Sequence, residues 1–395
     1  MRRTLFWIHL IAGVIAGSII LVMSLTGVVL AYERQMIDWL ERGYHASAEE
    51  MKGPRLPAAD LIAPAMAYKG VENTPSTLSL QRGEEEPVAL SWGRGETVYV
   101  NPYTGQAVGQ GTPAREFFRT MVSWHRWLGD RDRGRAITGA CNLAFVVLVL
   151  TGMILWTPRR WPWKWTWRSL RPGLLFDRRL KGKSRDWNWH LVIGIWCAPV
   201  LFILAATGTT WSYTWASNLV YTLSGEAPPP PREGRGPGGG RRGGGGGERG
   251  EARAFRPVPL EPYLEAAKAQ LPTWQSISLT LPSSPKARSV SLSVSEKLAW
   301  HPSARSSLKL DAKTAEVVEW KPFMEQSLGT RVRSTIRPVH TGEAGGIIGQ
   351  TIAALASLGG VFLVWTGLAL SWRRFFGRKK KSAPDPLPAK SASQR

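Results

Sequence analysis

Four stretches of the chain carry no Asp, Glu, Lys or Arg: residues 4–32, 136–158, 187–225 and 344–372. Each contains an apolar run, at 10–30, 136–157, 191–213 and 347–370. A helix needs about 20 such residues to cross the hydrocarbon core of a bilayer, so the pattern predicts four membrane-spanning helices. Arg2 and Arg3 precede the first run as they would in a signal peptide. That run is too long for an h-region, however, and no small-x-small cleavage site closes it before Tyr32-Glu33. It is read as a retained anchor.

The polar segments between the runs follow other periods. Residues 58–69 have helical composition, and alternating segments follow at 77–80, 88–92 and 97–100. Asn101-Pro-Tyr-Thr-Gly105 then reads as a turn. The second polar segment repeats the order, with a helix at 261–270 and strands near 276–281, 289–295 and 307–310. Each segment is expected to form a small α+β module. The chain divides into helix one (1–32), a first module (33–114), helix two with an outer helical extension (115–158) and a basic loop (159–187). Helix three (188–215), a second module (216–338), helix four (339–374) and a basic tail (375–395) complete it. An insertion at 226–254, rich in Pro, Gly and Arg, is expected to be disordered.

Charge orients this arrangement. The net charge is +22, which in a soluble protein would suggest nucleic acid. Here the head, the loop 159–187 and the segment from Arg373 onward carry +17 of it, whereas the first module is near neutral. The positive-inside rule places both termini and the loop in the cytoplasm and both modules outside, so no nucleic-acid partner is implied. Twenty Trp, among them Trp161, Trp163, Trp165, Trp167, Trp187 and Trp189 around the basic loop, suit a membrane-interface belt. Two cysteines exclude a disulfide framework and a cysteine-ligated iron–sulfur cluster. Cys141 and Cys197 lie at different depths and read as small core residues.

The helices are duplicated. His9-x3-Gly13 with Thr26-Gly27 in helix one matches His190-x3-Gly194 with Thr207-Gly208 in helix three, and His to Thr is 17 residues in both. His125 with Thr151-Gly152 in helix two matches His340 with Thr366-Gly367 in helix four, 26 residues apart in both. A single histidine near a helix end is ordinarily an interfacial side chain. Four in a duplicated register are better explained as ligands. The topology puts His9 and His190 at the inner ends of their helices and His125 and His340 at the outer side. Two imidazoles from facing helices are what a six-coordinate b-type haem requires, so two haem b groups are expected. Gly13 and Gly194, one turn from their histidines, would remove bulk where a flat macrocycle approaches the backbone. Cys-x-x-Cys-His is absent, which excludes covalent haem. His125 lies 11 residues before the apolar core of helix two, so its ligation needs that helix to begin early, around Arg115. His45 and His301 have no repeat partner and read as surface residues.

These motifs resemble the PepSY-associated transmembrane family. The resemblance rests on His-x3-Gly with Thr-Gly in helices one and three, Trp124-His125-Arg126-Trp127-Leu128, and Val339-His340-Thr341-Gly342. Val98-Tyr-Val-Asn-Pro-Tyr-Thr-Gly-Gln106 is similar to the PepSY module itself. The resemblance covers roughly residues 5–375 and implies a four-helix membrane protein with two periplasmic PepSY-like α+β modules. It further implies a place in the bacterial inner membrane and an iron-acquisition role as a ferric-siderophore reductase. Electrons would pass through haem from a cytoplasmic flavoprotein or quinol to a periplasmic Fe(III) chelate. The chain departs from the family pattern in its glycine-rich insertion and in Asp311-Ala-Lys-Thr-Ala315 of the second module. No nucleotide-binding fingerprint occurs outside the glycine-rich tract, so a reduced nucleotide would act through a partner. Two rival functions remain: a non-catalytic membrane module whose PepSY domains bind or inhibit a periplasmic partner, and a transporter subunit using intramembrane histidines.

Overall fold

A computed structural model describes residues 1–93, 96–157, 166–230, 259–282, 287–296, 301 and 303–377. Most of the insertion, the tail after 377, and Trp161, Trp163 and Trp165 lie outside these. Four long helices are long and apolar enough to span a membrane: α1 (Arg2–Leu30), α5 (Arg131–Trp156), α7 (Gly182–Ser212) and α11 (Gly346–Phe376). They close into a ring in which α1 packs on α5 and α11, and α7 packs on the same two. Thus α1 faces α7 across one diagonal, and α5 faces α11 across the other.

The bundle is arranged as a bilayer requires. Large apolar side chains such as Ile11, Ile15, Ile348, Ile352 and Leu355 point outward and are exposed. Small and polar residues such as Ser24, Thr26, Asn142, Thr151, Gln350 and Thr366 are buried between the helices. A water-soluble bundle sorts them the other way, because only lipid makes exposed isoleucine favourable and leaves helix association to close packing and polar contacts. Packing is close: a Cβ on Gly360 would stand 2.9 Å from Ser24 Oγ. Cys197 packs against Gly359, in keeping with a core role.

Shorter helices complete two like units. In the first, α1 is followed by α2 (Glu33–Leu40), α3 (Ile62–Lys69), strands β1 (Thr77–Gln81), β2 (Val88–Gly93), β3 (Glu96–Val100) and β4 (Ala107–Gly109), then α4 (Pro113–Trp127) and α5. A short helix α6 (Trp167–Leu174) links the units. In the second, α7 leads to α8 (Thr214–Leu223), α9 (Glu261–Gln270), β5 (Trp274–Thr280), β6 (Ser289–Glu296), β7 (Arg305–Asp311) and β8 (Val317–Lys321), then α10 (Leu328–Thr341) and α11.

Three features differ from the sequence reading. The two outer segments do not form separate sheets: β1 pairs antiparallel with β5 from Thr77↔Thr280 to Gln81↔Ser276, giving one eight-stranded antiparallel sheet. One core runs beneath both halves, where Leu78, Leu90, Val98, Ile277, Leu279, Leu292 and Leu308 meet Ile62 and Ala65 of α3 and Leu264 and Ala267 of α9. Second, the long helix of the first unit is not extended outward to Arg115. Leu128 (φ 53°) and Gly129 (φ 86°) stop α4 in the left-handed region, and Asp130 caps the new helix α5 by accepting from the amides of Asp132 and Arg133. Third, His301 is no surface residue: it is 2% exposed, its Nε2 3.2 Å from Thr335 Oγ1 and its ring against Phe323. His45 lies half-buried, with Nε2 3.7 Å from Glu86.

Candidate functional site

The histidines and the Thr-Gly dipeptides of the repeat meet. Along α1, His9 precedes Thr26 by 17 residues, which at 1.5 Å per residue separates them by roughly 25 Å. His190 and Thr207 are spaced alike on α7. His9 Nδ1 lies 2.9 Å from Thr151 Oγ1 of α5, and His190 Nδ1 2.9 Å from Thr366 Oγ1 of α11. At the sheet end, His125 Nδ1 of α4 lies 3.0 Å from Thr26 Oγ1, and His340 Nδ1 of α10 2.9 Å from Thr207 Oγ1. Each histidine is thereby tied to a neighbouring helix.

The threonines fix which nitrogen is free. Each hydroxyl donates its one proton to the carbonyl four residues back: Thr26 to Val22 at 2.7 Å, Thr151 to Val147 at 2.7 Å, Thr207 to Ile203 at 2.6 Å and Thr366 to Phe362 at 2.7 Å. Its oxygen can then only accept from the ring, so Nδ1 carries the hydrogen and Nε2 keeps its lone pair. Among the described residues nothing hydrogen-bonds Nε2 of these four.

The rings pair across the bundle. His9 and His190 have ring centres 6.2 Å apart at 89°, and His125 and His340 have centres 6.2 Å apart at 70°. Two metal–nitrogen bonds of about 2 Å, with the offset of Nε2 from each ring centre, put imidazoles sharing one ion roughly 6 Å apart. The spacing fits a two-imidazole centre at each end of the bundle.

Glycines make room for the rings. A Cβ on Gly152 would stand 3.3 Å from His9 Cε1, on Gly367 3.4 Å from His190 Cε1, and on Gly27 3.5 Å from His125 Cε1. Gly208 instead abuts Asn142, whose Nδ2 donates to Ala205 O and Thr209 Oγ1. Gly13 and Gly194 face Leu148 and Leu363, with a Cβ in ordinary contact at 3.6 and 3.7 Å. The threonines of the Thr-Gly dipeptides are the partners that sequence reasoning missed, and their recurrence in all four long helices is the signal that could have found them.

Neighbouring elements hold the site. Near the first pair, Asp186 is 1% exposed, with Oδ2 2.6 Å from Arg373 Nη1 and Oδ1 accepting from Arg185, which ties the start of α7 to the end of α11. At the sheet end, Trp211 packs edge-on to His340 at 4.9 Å. The α4–α5 corner is tight, because a Cβ on Gly134 would overlap the Trp127 carbonyl. Thr138 Oγ1 donates across it to Arg126 O at 2.7 Å. Glu41 anchors the other end of α4, accepting from Thr112 N at 3.1 Å, Arg115 Nε at 2.6 Å and Arg115 Nη2 at 2.6 Å. Burial alone would raise the Glu41 carboxyl. The Arg115 guanidinium and the Thr112 amide outweigh it and hold the group below the ordinary carboxylate value.

The family model described as the PepSY-associated TM region matches residues 6–374, nearly the whole chain. No curated protein matches it.

Proposed function

The chain belongs to the PepSY-associated transmembrane family, and on that footing we propose that it is a haem b oxidoreductase of the bacterial inner membrane that passes electrons from the cytoplasmic side to a periplasmic Fe(III) chelate, such as a ferric siderophore. One observation carries the reading. Two imidazole pairs, each with ring centres 6.2 Å apart and every Nδ1 tied to a threonine, stand at opposite ends of one bundle. In this reading His9 and His190 hold an inner haem, and His125 and His340 hold an outer one. Each haem, when bound, supplies a one-electron Fe(III)/Fe(II) couple whose potential its axial ligands and their hydrogen bonds tune.

The chain's own residues position and insulate. Thr26, Thr151, Thr207 and Thr366 lock each imidazole in one tautomer and orientation, as outer-shell partners of metal-bound histidine do. Gly13 and Gly194 keep the backbone beside the inner pair free of bulk. The apolar outer faces of the four helices keep both centres in lipid. The eight-stranded sheet is read as two PepSY modules zipped together that dock the acceptor. One electron delivered there converts Fe(III) to Fe(II), which hard oxygen ligands hold less well. A cytoplasmic flavoprotein or a quinol is the donor, and the basic loop and tail mark that side.

A redox difference spectrum of the purified protein tests the proposal. A Soret band and about two haems per chain are expected by the axial-ligand count. His9→Ala or His190→Ala should remove one haem and spare the other, and His125→Ala or His340→Ala should do the converse. Protein made with ample haem that shows no Soret band, or four single variants that all keep full haem, would sink it. The non-catalytic binding module would then stand.

A further inference from the structure

The segment that joins the second and third long helices is basic and apolar at once. Residues 167–183 carry six Lys and Arg and one acid, Asp177, whose Oδ1 accepts from the backbone amide of Arg179 at 3.0 Å. Asp186, the next acid along the chain, is taken by Arg185 and Arg373, and among the described residues none of the six cations meets a carboxylate. In α6, Trp167, Leu170 and Leu174 recur at i, i+3 and i+7, the spacing of a helix that lies in a membrane surface. Its end is pinned to the bundle. Asn188, buried in α7, donates from Nδ2 to Pro172 O at 2.8 Å and Leu175 O at 3.1 Å, and its Oδ1 accepts from the Asp177 amide at 3.0 Å. Trp156 and Trp196 donate to Gly173 O and Leu174 O at 3.2 and 3.0 Å. Between the pinned segment and α7 lies an open pocket of about 310 Å³, walled by Pro172, Leu180, Trp187 and Leu191 and completed by Lys183 and Ser184. Lys183, Trp187 and Leu191 follow one another by one turn of α7, so the lining passes from a cation to an indole to an aliphatic chain over roughly 12 Å. Leu191 begins the apolar run, and Trp187 is 53% exposed, as a ring at the membrane interface is.

We propose that this pocket binds one anionic glycerophospholipid of the leaflet that meets the basic loop. Lys183 Nζ and Ser184 Oγ take its phosphate, and Trp187 and Leu191 take the glycerol and the first carbons of an acyl chain. The order of the lining is the order of a phospholipid read from headgroup to tail. A free anion has no use for the apolar walls, and a neutral lipid has none for cations without acids. The volume lies at the lower end of the range for ligand pockets, which suits a headgroup and not a whole lipid. The chain continues toward Phe202, exposed on the same face of α7 three turns beyond Leu191. The site rests on the four-helix arrangement and not on the electron-transfer reading.

Native mass spectrometry of the full chain in detergent, titrated with dioleoyl phosphatidylglycerol or dioleoyl phosphatidylcholine, tests the proposal. The chain should retain one phosphatidylglycerol roughly tenfold more tightly than phosphatidylcholine, the effect of one charge-assisted hydrogen bond. Lys183→Gln should abolish that preference, and Lys183→Arg should keep it, since a guanidinium also binds phosphate. Trp187→Ala should weaken both lipids alike. Lys183 is exposed, so its replacement leaves the fold intact. Lys309→Gln on β7 removes the same charge outside the pocket and should change nothing. Equal affinity for the two lipids, or a preference that survives in Lys183→Gln, overturns the proposal. So does displacement of phosphatidylglycerol by millimolar inorganic phosphate with Trp187→Ala silent, which marks a site for free anions. The expected result is the same with or without haem, so a protein that lacks a Soret band and still selects phosphatidylglycerol through Lys183 would defeat the electron-transfer reading and leave this site standing.

Discussion

At the scale of single residues, the site is defined by what a threonine oxygen can no longer do. Having given its proton to the carbonyl of Val147, Thr151 can only accept from His9, and the same holds at the other three positions. Thr151→Val keeps the shape and deletes the acceptor. Under the proposed haem assignment it should lower the inner site's haem affinity by about 10–100-fold, the usual effect of removing an outer-shell partner, and leave the outer site untouched. Thr151→Ser, which restores the hydroxyl, should recover most of it. Haem titration of apoprotein, followed separately at the two spectral components, reads both. An unchanged inner affinity in Thr151→Val would show that the threonine merely satisfies a passing contact. Gly152→Val probes the same ring from its other side. A Cβ there lies 3.3 Å from His9 Cε1, so branching at that carbon must displace the imidazole. Gly13→Ala meets only Leu148 at 3.6 Å, so loss of the inner haem in that variant would mean the macrocycle itself lies over Gly13.

At the scale of elements, His125 depends on where α4 is pinned. Glu41 is 7% exposed and holds Thr112 and Arg115 at the helix start, while Thr26 and the turn at 128–130 hold its end. Glu41→Gln should destabilise the fold by about 1–3 kcal/mol, kept modest because Arg115 is partly in water. The sign of the pH effect follows from the lowered carboxyl. Its folded value is below the unfolded one, so its contribution is complete above the ordinary value of 4.5 and fades as pH falls through the folded value. Thermal unfolding temperature should drop on acidification below that value, and the drop should be smaller in Glu41→Gln. The same region shows how far a sequence can be read. The four long helices are legible because a bilayer demands length and freedom from charge, which leave a mark in any single chain. The strands are legible as alternation. The break at Leu128 is not, since leucine rarely adopts φ 53° and only Gly129 and the capping Asp130 hint at it. Nor is the pairing of β1 with β5. Both strands alternate with Ser and Thr, and nothing local states which edge meets which. The threonine partners of the histidines required knowing that α1 adjoins α5, a fact of packing and not of periodicity.

At the scale of the whole molecule, duplication and charge do different work. Duplication builds two units, each a long helix, a short helix, a helix with four strands, a histidine helix and a second long helix. Zipping them through β1 and β5 and crossing the long helices makes each imidazole pair contain one histidine from each unit, so neither unit alone completes a site. The two ends are therefore equivalent in their histidine pairs, and only the charge distribution would give the proposed electron path a direction. The head, the basic loop and the segment from Arg373 onward hold +17 of the net +22, and their described residues adjoin the ends of the long helices away from the sheet. If they are cytoplasmic, as the positive-inside rule requires, then under the proposed function electrons enter at His9 and His190 and leave beside the sheet. Replacing Cys141 and Cys197 with alanine gives a silent background, since both are free thiols in the bundle. Lys309→Cys on β7 should then react with a membrane-impermeant maleimide on cells whose outer membrane is opened, and Lys183→Cys at the start of α7 should react only after lysis. Labelling in the opposite order would invert the membrane orientation. The His125–His340 pair would then face the cytoplasm, and a periplasmic ferric chelate could no longer receive electrons from it.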